Sequence, residues 1–154
     1  MDRSNIYARL EELGVVLPNA ASPAAAYTMC AQCGQLAYLS GHLAKQDGKI
    51  WTGRLGESLS TQEGHAAARA VAIDLLATLH THIKDLNTIK RIVKLTSLVN
   101  SASDFTEQHL VTNGASEFFV DVFGTSGKHA RSAFGVTQLP LNACLEIELI
   151  VELT

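Results

Sequence analysis

The sequence predicts a single α+β domain, residues 1–154, in which a mixed β-sheet carries two helices on one face. Two observations lead to this fold class. Short segments rich in β-branched or alternating apolar residues recur along the chain, which is typical of strands. Two longer segments instead carry apolar residues at helical spacing. The resulting order, ββ(β)αβαββ, indicates an α+β sandwich.

The N-terminal part, residues 1–23, is predicted to be an additional helix followed by a linker. Apolar residues recur at helical spacing from Ser4 to Leu13, and Gly14 ends the pattern. The linker then contains two prolines. Two strands follow, at Tyr27–Gln32 and Gln35–Ser40, and Lys49–Thr52 is a candidate third strand.

A long helix is predicted to begin at Ser60, because Ser60 and Glu63 have the spacing of a capping box. Its apolar stripe contains Ala68, Ala72, Leu75, Leu76, Leu79 and Ile83. A β-branched strand follows at Ile89–Val99. The second helix is predicted to be capped by Asn113, to bury Phe118 and to end at Gly124.

The last two strands are predicted at Arg131–Thr137 and Cys144–Glu152, on either side of a Leu139-Pro140 turn. Alternation in the last strand places Leu145, Ile147, Leu149 and Val151 on one face and Cys144, Glu146 and Glu148 on the other. The sequence therefore predicts that the final strand is buried on its apolar side.

Composition narrows the classes of function. Only 18% of the residues are charged and 47% are hydrophobic, which favours self-association. The net charge is −3 and no broad basic track forms on a strand containing Lys90, Arg91 and Lys94, so a nucleic-acid partner is not expected. The N-terminal segment lacks the features of a signal peptide and no apolar run has membrane-spanning length, so a cytoplasmic protein without a membrane partner is expected.

The three cysteines do not predict a disulfide framework or a metal centre. Cys30 and Cys33 have C-x-x-C spacing, but a second pair is missing and Cys144 stands alone. A hairpin is the expected context of this pair. His65 and His129 are expected at exposed ends of helices or strands. Neither a metal nor an organic cofactor is expected.

Arg131 is the candidate functional residue that the sequence marks most clearly. It is the last Arg or Lys in the chain and is surrounded by small and apolar residues. A guanidinium in such surroundings needs an anion, and its planar donors suit a carboxylate. That anion is either Glu146 or Glu148 in a structural ion pair, or the carboxylate of a ligand.

The segment ARSAFGV, followed by LP and EIE, resembles the C-terminal signature of the YjgF/RidA family. Further matching features are Tyr27 followed by Ser40-Gly41, and Asn113 at the start of NGASE. One branch of this family has longer chains and is called endoribonuclease L-PSP, chorismate-mutase-like. Its sequences are similar to two segments of this chain, TGRLGESLSTQEGHAAAR and VNSASDFTEQHLVTNGASEFF. The resemblance covers roughly residues 24–152 and implies a chorismate-mutase-like sandwich that forms a homotrimer.

The resemblance also implies roles for individual residues. Arg131 would hold the substrate carboxylate, and Glu146, fifteen residues later, would orient or activate a water molecule. Both are expected on one wall of a cleft between subunits. From spacing alone, Glu146 is better explained as an exposed or interface carboxylate on the polar face of the last strand, and the resemblance is what favours the site role.

Four further positions complete the predicted site. Tyr27 would form a pocket wall and the Gly41 backbone would approach the ligand, although Tyr27 could also be a core residue. Asn113 matches a pocket residue, but helix capping explains it fully and is favoured. Ala133 stands where deaminating relatives commonly have cysteine, which alters the pocket.

The implied activity is hydrolysis of reactive 2-imino or enamine acids to 2-oxo acids and ammonia. A regulatory trimer that binds a carboxylate metabolite without converting it is the second hypothesis, and Ala133 favours it. An endoribonuclease is the third and is disfavoured by the acidic charge.

Overall fold

The computed structural model describes residues 5–154, and its elements follow the predicted order. The helices are α1 (Ile6–Glu12), α2 (Thr61–Ile83) and α3 (Gln108–Phe123). The strands are β1 (Cys30–Cys33), β2 (Leu36–Leu43), β3 (Lys45–Gln46), β4 (Lys49–Ile50), β5 (Ile89–Asn100), β6 (Ala130–Val136) and β7 (Leu145–Leu153). Among the described residues, no helix is long and apolar enough to cross a bilayer.

Five strands form the main sheet in the order β1-β2-β7-β5-β6. All neighbours are antiparallel except β5 and β6, which are parallel and are connected through α3. The predicted mixed sheet and α+β class are confirmed. Strands β3 and β4 form a separate two-stranded hairpin, so the candidate third strand exists but does not join the main sheet.

The central strand β7 separates the two faces of the sheet as predicted for Leu145 to Val151, whereas Cys144 precedes the strand and is buried in the core. Its residues Leu145, Ile147, Leu149 and Val151 are buried in the core with residues of α2 and α3. Glu146, Glu148 and Ile150 alternate with them and therefore lie on the opposite face. We call this opposite side, which α2 and α3 do not cover, the open face.

Helix α2 has the predicted N-terminus and the predicted apolar stripe. The Ser60 hydroxyl accepts a hydrogen bond from the Glu63 backbone N–H, and the Ser60 N–H donates to the Glu63 carboxylate at 2.8 Å. Helix α3 packs closely against α2, because a Cβ atom at Gly114 would collide with the backbone carbonyl of His65. This close approach brings α3 over the sheet beside β6.

The predicted start of α3 at Asn113 is wrong. The helix begins at Gln108, five residues earlier, and Asn113 lies within it. Val111 is fully buried and extends the stripe of Ala115 and Phe118 back by one turn. The apolar periodicity therefore outweighs the local capping preference of an asparagine.

The predicted first strand begins three residues later than expected, at Cys30 instead of Tyr27. The chain bends before the strand, where the Tyr27 N–H donates to the Ala25 carbonyl at 2.9 Å. Strand β2 in turn continues beyond the predicted end at Ser40 to Leu43. Tyr27 is consequently a loop residue beside the sheet.

Helix α1 confirms the predicted N-terminal helix, although the predicted start at Ser4 lies outside the described residues. The Asn5 side chain caps the helix by accepting from the Tyr7 N–H. Leu10 is buried in the core, and the Tyr7 hydroxyl accepts from the Leu86 N–H at 2.9 Å. These contacts fix α1 against the body of the protein.

Replacing Ser60 with alanine is expected to lower the free energy of unfolding by about 0.5–2 kcal/mol, because an N-cap oxygen is lost. Ser60→Thr keeps the oxygen and is the matched control. Urea denaturation followed by circular dichroism measures both variants. An unchanged midpoint for Ser60→Ala would contradict the role of the cap.

Candidate functional site

Arg131 lies on the edge strand β6, and its side chain points toward the helices. Pairing places it beside Leu95 of β5, which is itself beside Leu149 of β7. Leu95 and Leu149 are buried under the helices, and side chains in register share a face. The guanidinium therefore lies along α3 and is half-buried there.

Three oxygen atoms of α3 hold the guanidinium. Arg131 Nη1 donates to Asn113 Oδ1 at 2.8 Å and to Ser116 Oγ at 3.2 Å. Arg131 Nη2 donates to the His109 carbonyl at 3.3 Å. No ion pair of the described residues includes Arg131, so a structural pair with Glu146 or Glu148 within one chain is wrong. The guanidinium is oriented by neutral groups of α3.

His129 extends this network and is not the exposed residue that the sequence predicted. Its Nδ1 lies 2.6 Å from the Gly127 carbonyl oxygen, and its Nε2 lies 3.0 Å from Ser116 Oγ. The ring packs edge-on against Phe119. Burial lowers the pKa of His129, and the positive charge of Arg131 lowers it further.

Glu146 lies on the open face against Gly41. The pairing of β2 with β7 is interrupted by a bulge between Leu39 and His42, and Gly41 lies in it. A Cβ atom at Gly41 would collide with the Glu146 carboxylate, so this position requires glycine for that side-chain placement. Gly41 and the Glu146 side chain are therefore in contact within one chain. The approach of the Gly41 backbone to a ligand stays a prediction.

The pKa of Glu146 is raised above its ordinary value. Burial is the main cause, and repulsion from the neighbouring Glu148 carboxylate adds to it. Glu148 lies two residues along β7 on the same face. A carboxyl group with a raised pKa is suited to exchange a proton with a bound water molecule nearer neutral pH.

Tyr27 borders a cavity of about 390 Å³ on the open face. Polar side chains around this cavity are those of Tyr27, Thr28, Tyr38, Ser40, Lys94, Thr96 and Glu148. The Tyr27 ring is 46% exposed, and its hydroxyl accepts from the Ala24 N–H at 3.3 Å. Tyr27 is thus a wall residue of an open cavity instead of a core residue.

The predicted site residues divide into two groups in one chain. Arg131 and Ala133 share the helix side of β6, with Asn113 beside them on α3. Glu146 is in register with Leu98 of β5, which in turn is in register with Phe134 of β6. Phe134 lies an odd number of residues from Arg131 along β6, and such side chains point to opposite faces of a sheet. Glu146 therefore lies on the face opposite Arg131. The expectation that Arg131 and Glu146 share one wall is wrong for a single chain.

Residues 5–154 contain no cluster of side chains suited to bind a metal ion. No group of three or more His, Cys, Asp or Glu side chains there could hold a metal ion. Cys30 is buried and Cys33 is exposed at the two ends of β1, and neither forms a disulfide.

The fold and the sequence together identify the family. The family profile of the YjgF/chorismate mutase-like proteins, which carries a provisional endoribonuclease description, matches residues 7–153. Because the match covers nearly the whole chain, the protein belongs to this family. The sequence-based resemblance is confirmed.

Individual relatives agree with this assignment. The chain is 46% identical over 150 residues to Protein TCP17 of Trypanosoma cruzi, covering 96% of this chain and 94% of that protein. It is similar to the crystal structure of Atu1372 from Agrobacterium tumefaciens, with 42% identity, a TM-score of 0.89, and coverage of 97% and 92% of the two chains. A Shewanella oneidensis structure, provisionally described as an endoribonuclease, has 28% identity, a TM-score of 0.94 and coverage of 97% and 100%.

Glu148→Gln is expected to lower the pKa of Glu146, because it removes the repulsion between two carboxylates. The pKa should remain above the ordinary value of 4.5, since burial is the larger cause. Carboxyl ¹³C NMR titration measures the change, and Glu152→Gln on the same strand is the control. A Glu146 pKa that is the same in wild type and Glu148→Gln would contradict the coupling.

Proposed function

We propose that this protein hydrolyses reactive 2-imino and enamine acids to 2-oxo acids and ammonia. The reaction would take place in clefts between the subunits of a homotrimer. One observation carries the proposal: the Arg131 guanidinium is half-buried and oriented by three neutral oxygen atoms, without a carboxylate partner among the described residues. Such a guanidinium favours an anionic ligand.

The small anion that suits this position is a carboxylate. A guanidinium offers a planar set of N–H donors that can bind two carboxylate oxygens at once. Asn113 and Ser116 hold Nη1 in place, so little side-chain freedom remains to be lost when a ligand binds. A 2-imino or 2-oxo acid presents its reacting carbon directly beside such a carboxylate.

Glu146 is the proposed general base. Hydrolysis requires water to add to the C=N carbon, and the raised pKa of Glu146 favours accepting the proton of that water. The proton then passes to the substrate nitrogen, which gives a carbinolamine. Transfer of the hydroxyl proton to the same nitrogen lets the C–N bond break, and ammonia leaves as the C=O bond forms. Each turnover consumes one water molecule and one imino group, and no oxidant is needed.

A second copy of the chain would complete the site, because Arg131 and Glu146 lie on opposite faces of one sheet. The open face has apolar side chains suited to such an interface: Tyr38 and Phe134 are 42% and 46% exposed. Half-buried Leu98 and Ile150 lie on the same face. Burying these side chains between copies favours assembly. The trimeric state is part of this proposal, because it is what the resemblance to the family implies.

A regulatory protein that binds a carboxylate metabolite without converting it is the second candidate. Ala133 favours it, because deaminating relatives commonly have cysteine at this position. Ala133 lies on the same face of β6 as Arg131 and offers no polar atom to a ligand. Ammonia release from a 2-imino acid generated by an amino-acid oxidase separates conversion from binding.

Cleavage of RNA is the third candidate and has the least support. Endoribonuclease descriptions occur among the family and its solved structures. The net charge of the chain is −3. The candidate site offers one basic residue on each side of the sheet: Arg131 beside α3 and Lys94 at the open-face cavity. A nucleic-acid site normally neutralises several phosphates with a broader basic surface.

Arg131→Ala is expected to weaken binding of a small 2-oxo acid by at least about 30-fold, because a charge-assisted bidentate contact is lost. Arg131→Lys should restore little of it, since an ammonium group lacks the planar fork. Calorimetric titration and a thermal melt are measured for each variant, with exposed Arg91→Ala as control. Unchanged ligand affinity with a collapsed melting temperature would show that Arg131 is only structural.

Mixing two inactive variants tests whether the site spans two chains. Arg131→Ala and Glu146→Gln are each expected to abolish ammonia release. After refolding together in equal amounts, roughly a quarter of the clefts should join an intact Arg131 to an intact Glu146, since each cleft draws from two chains at random. Activity that does not return in mixtures, although light scattering shows mixed trimers, would contradict the inter-subunit site.

A further inference from the structure

The hydrogen-bond network behind Arg131 determines which of its donors remain for a ligand. A guanidinium carries five N–H donors. Both Nη1 hydrogens are engaged by Asn113 and Ser116, and one Nη2 hydrogen is engaged by the His109 carbonyl. Within residues 5–154, the Nε–H and the second Nη2–H therefore remain without a protein partner.

The proton positions in this network follow from the acceptors at its end. The Gly127 carbonyl can only accept, so His129 Nδ1 carries the proton and donates to it. Nε2 of the neutral ring can then only accept, which makes the Ser116 hydroxyl its donor. Ser116 Oγ is consequently left with lone pairs, and one of them accepts from Arg131 Nη1.

We propose that Ser116 and His129 are positioning residues that fix the Arg131 guanidinium so that its Nε–H and one Nη2–H are presented to the ligand carboxylate. This inference rests on the proposed role of Arg131 as the carboxylate anchor. It adds two residues that contact neither the carboxylate nor the reacting carbon. They determine the direction in which the two free N–H donors of Arg131 point.

The surroundings of His129 preserve this arrangement at neutral pH. Burial and the nearby Arg131 charge lower the pKa of His129, so the ring is neutral and its Nε2 remains an acceptor. The edge-on contact with Phe119 holds the ring plane. Without Ser116, Nη1 would keep Asn113 and Nη2 would keep the His109 carbonyl, so the guanidinium would lose one of its three acceptors and be less firmly oriented.

Binding of pyruvate as a 2-oxo acid probe tests the proposal. Ser116→Ala is expected to weaken binding roughly tenfold, the usual range for a hydrogen bond to a charged group. Ser116→Thr keeps the hydroxyl and should remain within about threefold of wild type. His129→Phe keeps an aromatic ring but removes the Nε2 acceptor of the Ser116 hydroxyl, so its affinity for pyruvate should resemble that of Ser116→Ala. Ser126→Ala is the control, because the described residues show no hydrogen bond of that side chain.

A double-mutant cycle distinguishes positioning from general stability. If Ser116 acts through the fork of Arg131, Ser116→Ala should cause no further loss of affinity in an Arg131→Lys background. An equal additional loss in that background overturns the proposal. Unchanged binding by Ser116→Ala, when Arg131→Ala has lost binding, also overturns it and leaves the proposed function intact.

An NMR measurement tests the positioning without a ligand. The Arg131 Nε–Hε resonance, assigned by its absence in Arg131→Lys, should show the ¹⁵N relaxation of an ordered group in wild type and in Ser126→Ala. Ser116→Ala and His129→Phe should make it more mobile than in wild type, toward the level of exposed Arg91. A mobile Arg131 in wild type, or an unchanged signal in both variants, overturns the proposal even if pyruvate does not bind and the proposed function fails.

Discussion

The pairing of β7 with β2 and β5 decides which side chains face the helices and which lie on the open face. Leu149 is in register with both Leu39 and Leu95, and all three are buried. A shift by one residue would move the carboxylates of Glu146 and Glu148 under the helices, at a cost of several kcal/mol for each unpaired charge. This penalty fixes the register, and the register in turn fixes the position of every candidate site residue.

The sequence predicts the long elements well because their signals are repeated many times. The stripe of α2, its Ser60 cap and the alternation of β7 each rest on several mutually consistent residues. The errors occur where one residue carries the signal. Asn113 has the preference of a helix cap, but the buried Val111 continues the helix past it. Tyr27 has a strand preference, but a turn at Ala25 intervenes.

The candidate site is less predictable than the fold, because it depends on contacts between elements. Arg131 is conspicuous in the sequence, but the sequence does not show that α3 supplies its acceptors. His109, Asn113 and Ser116 do share one face of a helix, with spacings of four and three residues. That pattern becomes visible only if the helix is extended back to Gln108. To predict that Arg131 and Glu146 lie on opposite faces, the pairing register across β6, β5 and β7 must be known. Their spacing of fifteen residues in the sequence does not reveal this register.

The separation of Arg131 from Glu146 has a consequence for the chemistry of each group. Two opposite charges in direct contact would stabilise each other, lower the pKa of the carboxyl group and leave little attraction for a ligand. In this chain Arg131 is instead oriented by neutral oxygen atoms, and Glu146 is desolvated beside Gly41 with Glu148 nearby. The fold thus leaves Arg131 without a carboxylate partner among the described residues and keeps the pKa of Glu146 raised. Under the proposed function, a 2-imino acid bound between two subunits would place its carboxylate at Arg131 of one chain and its C=N carbon beside Glu146 of the other.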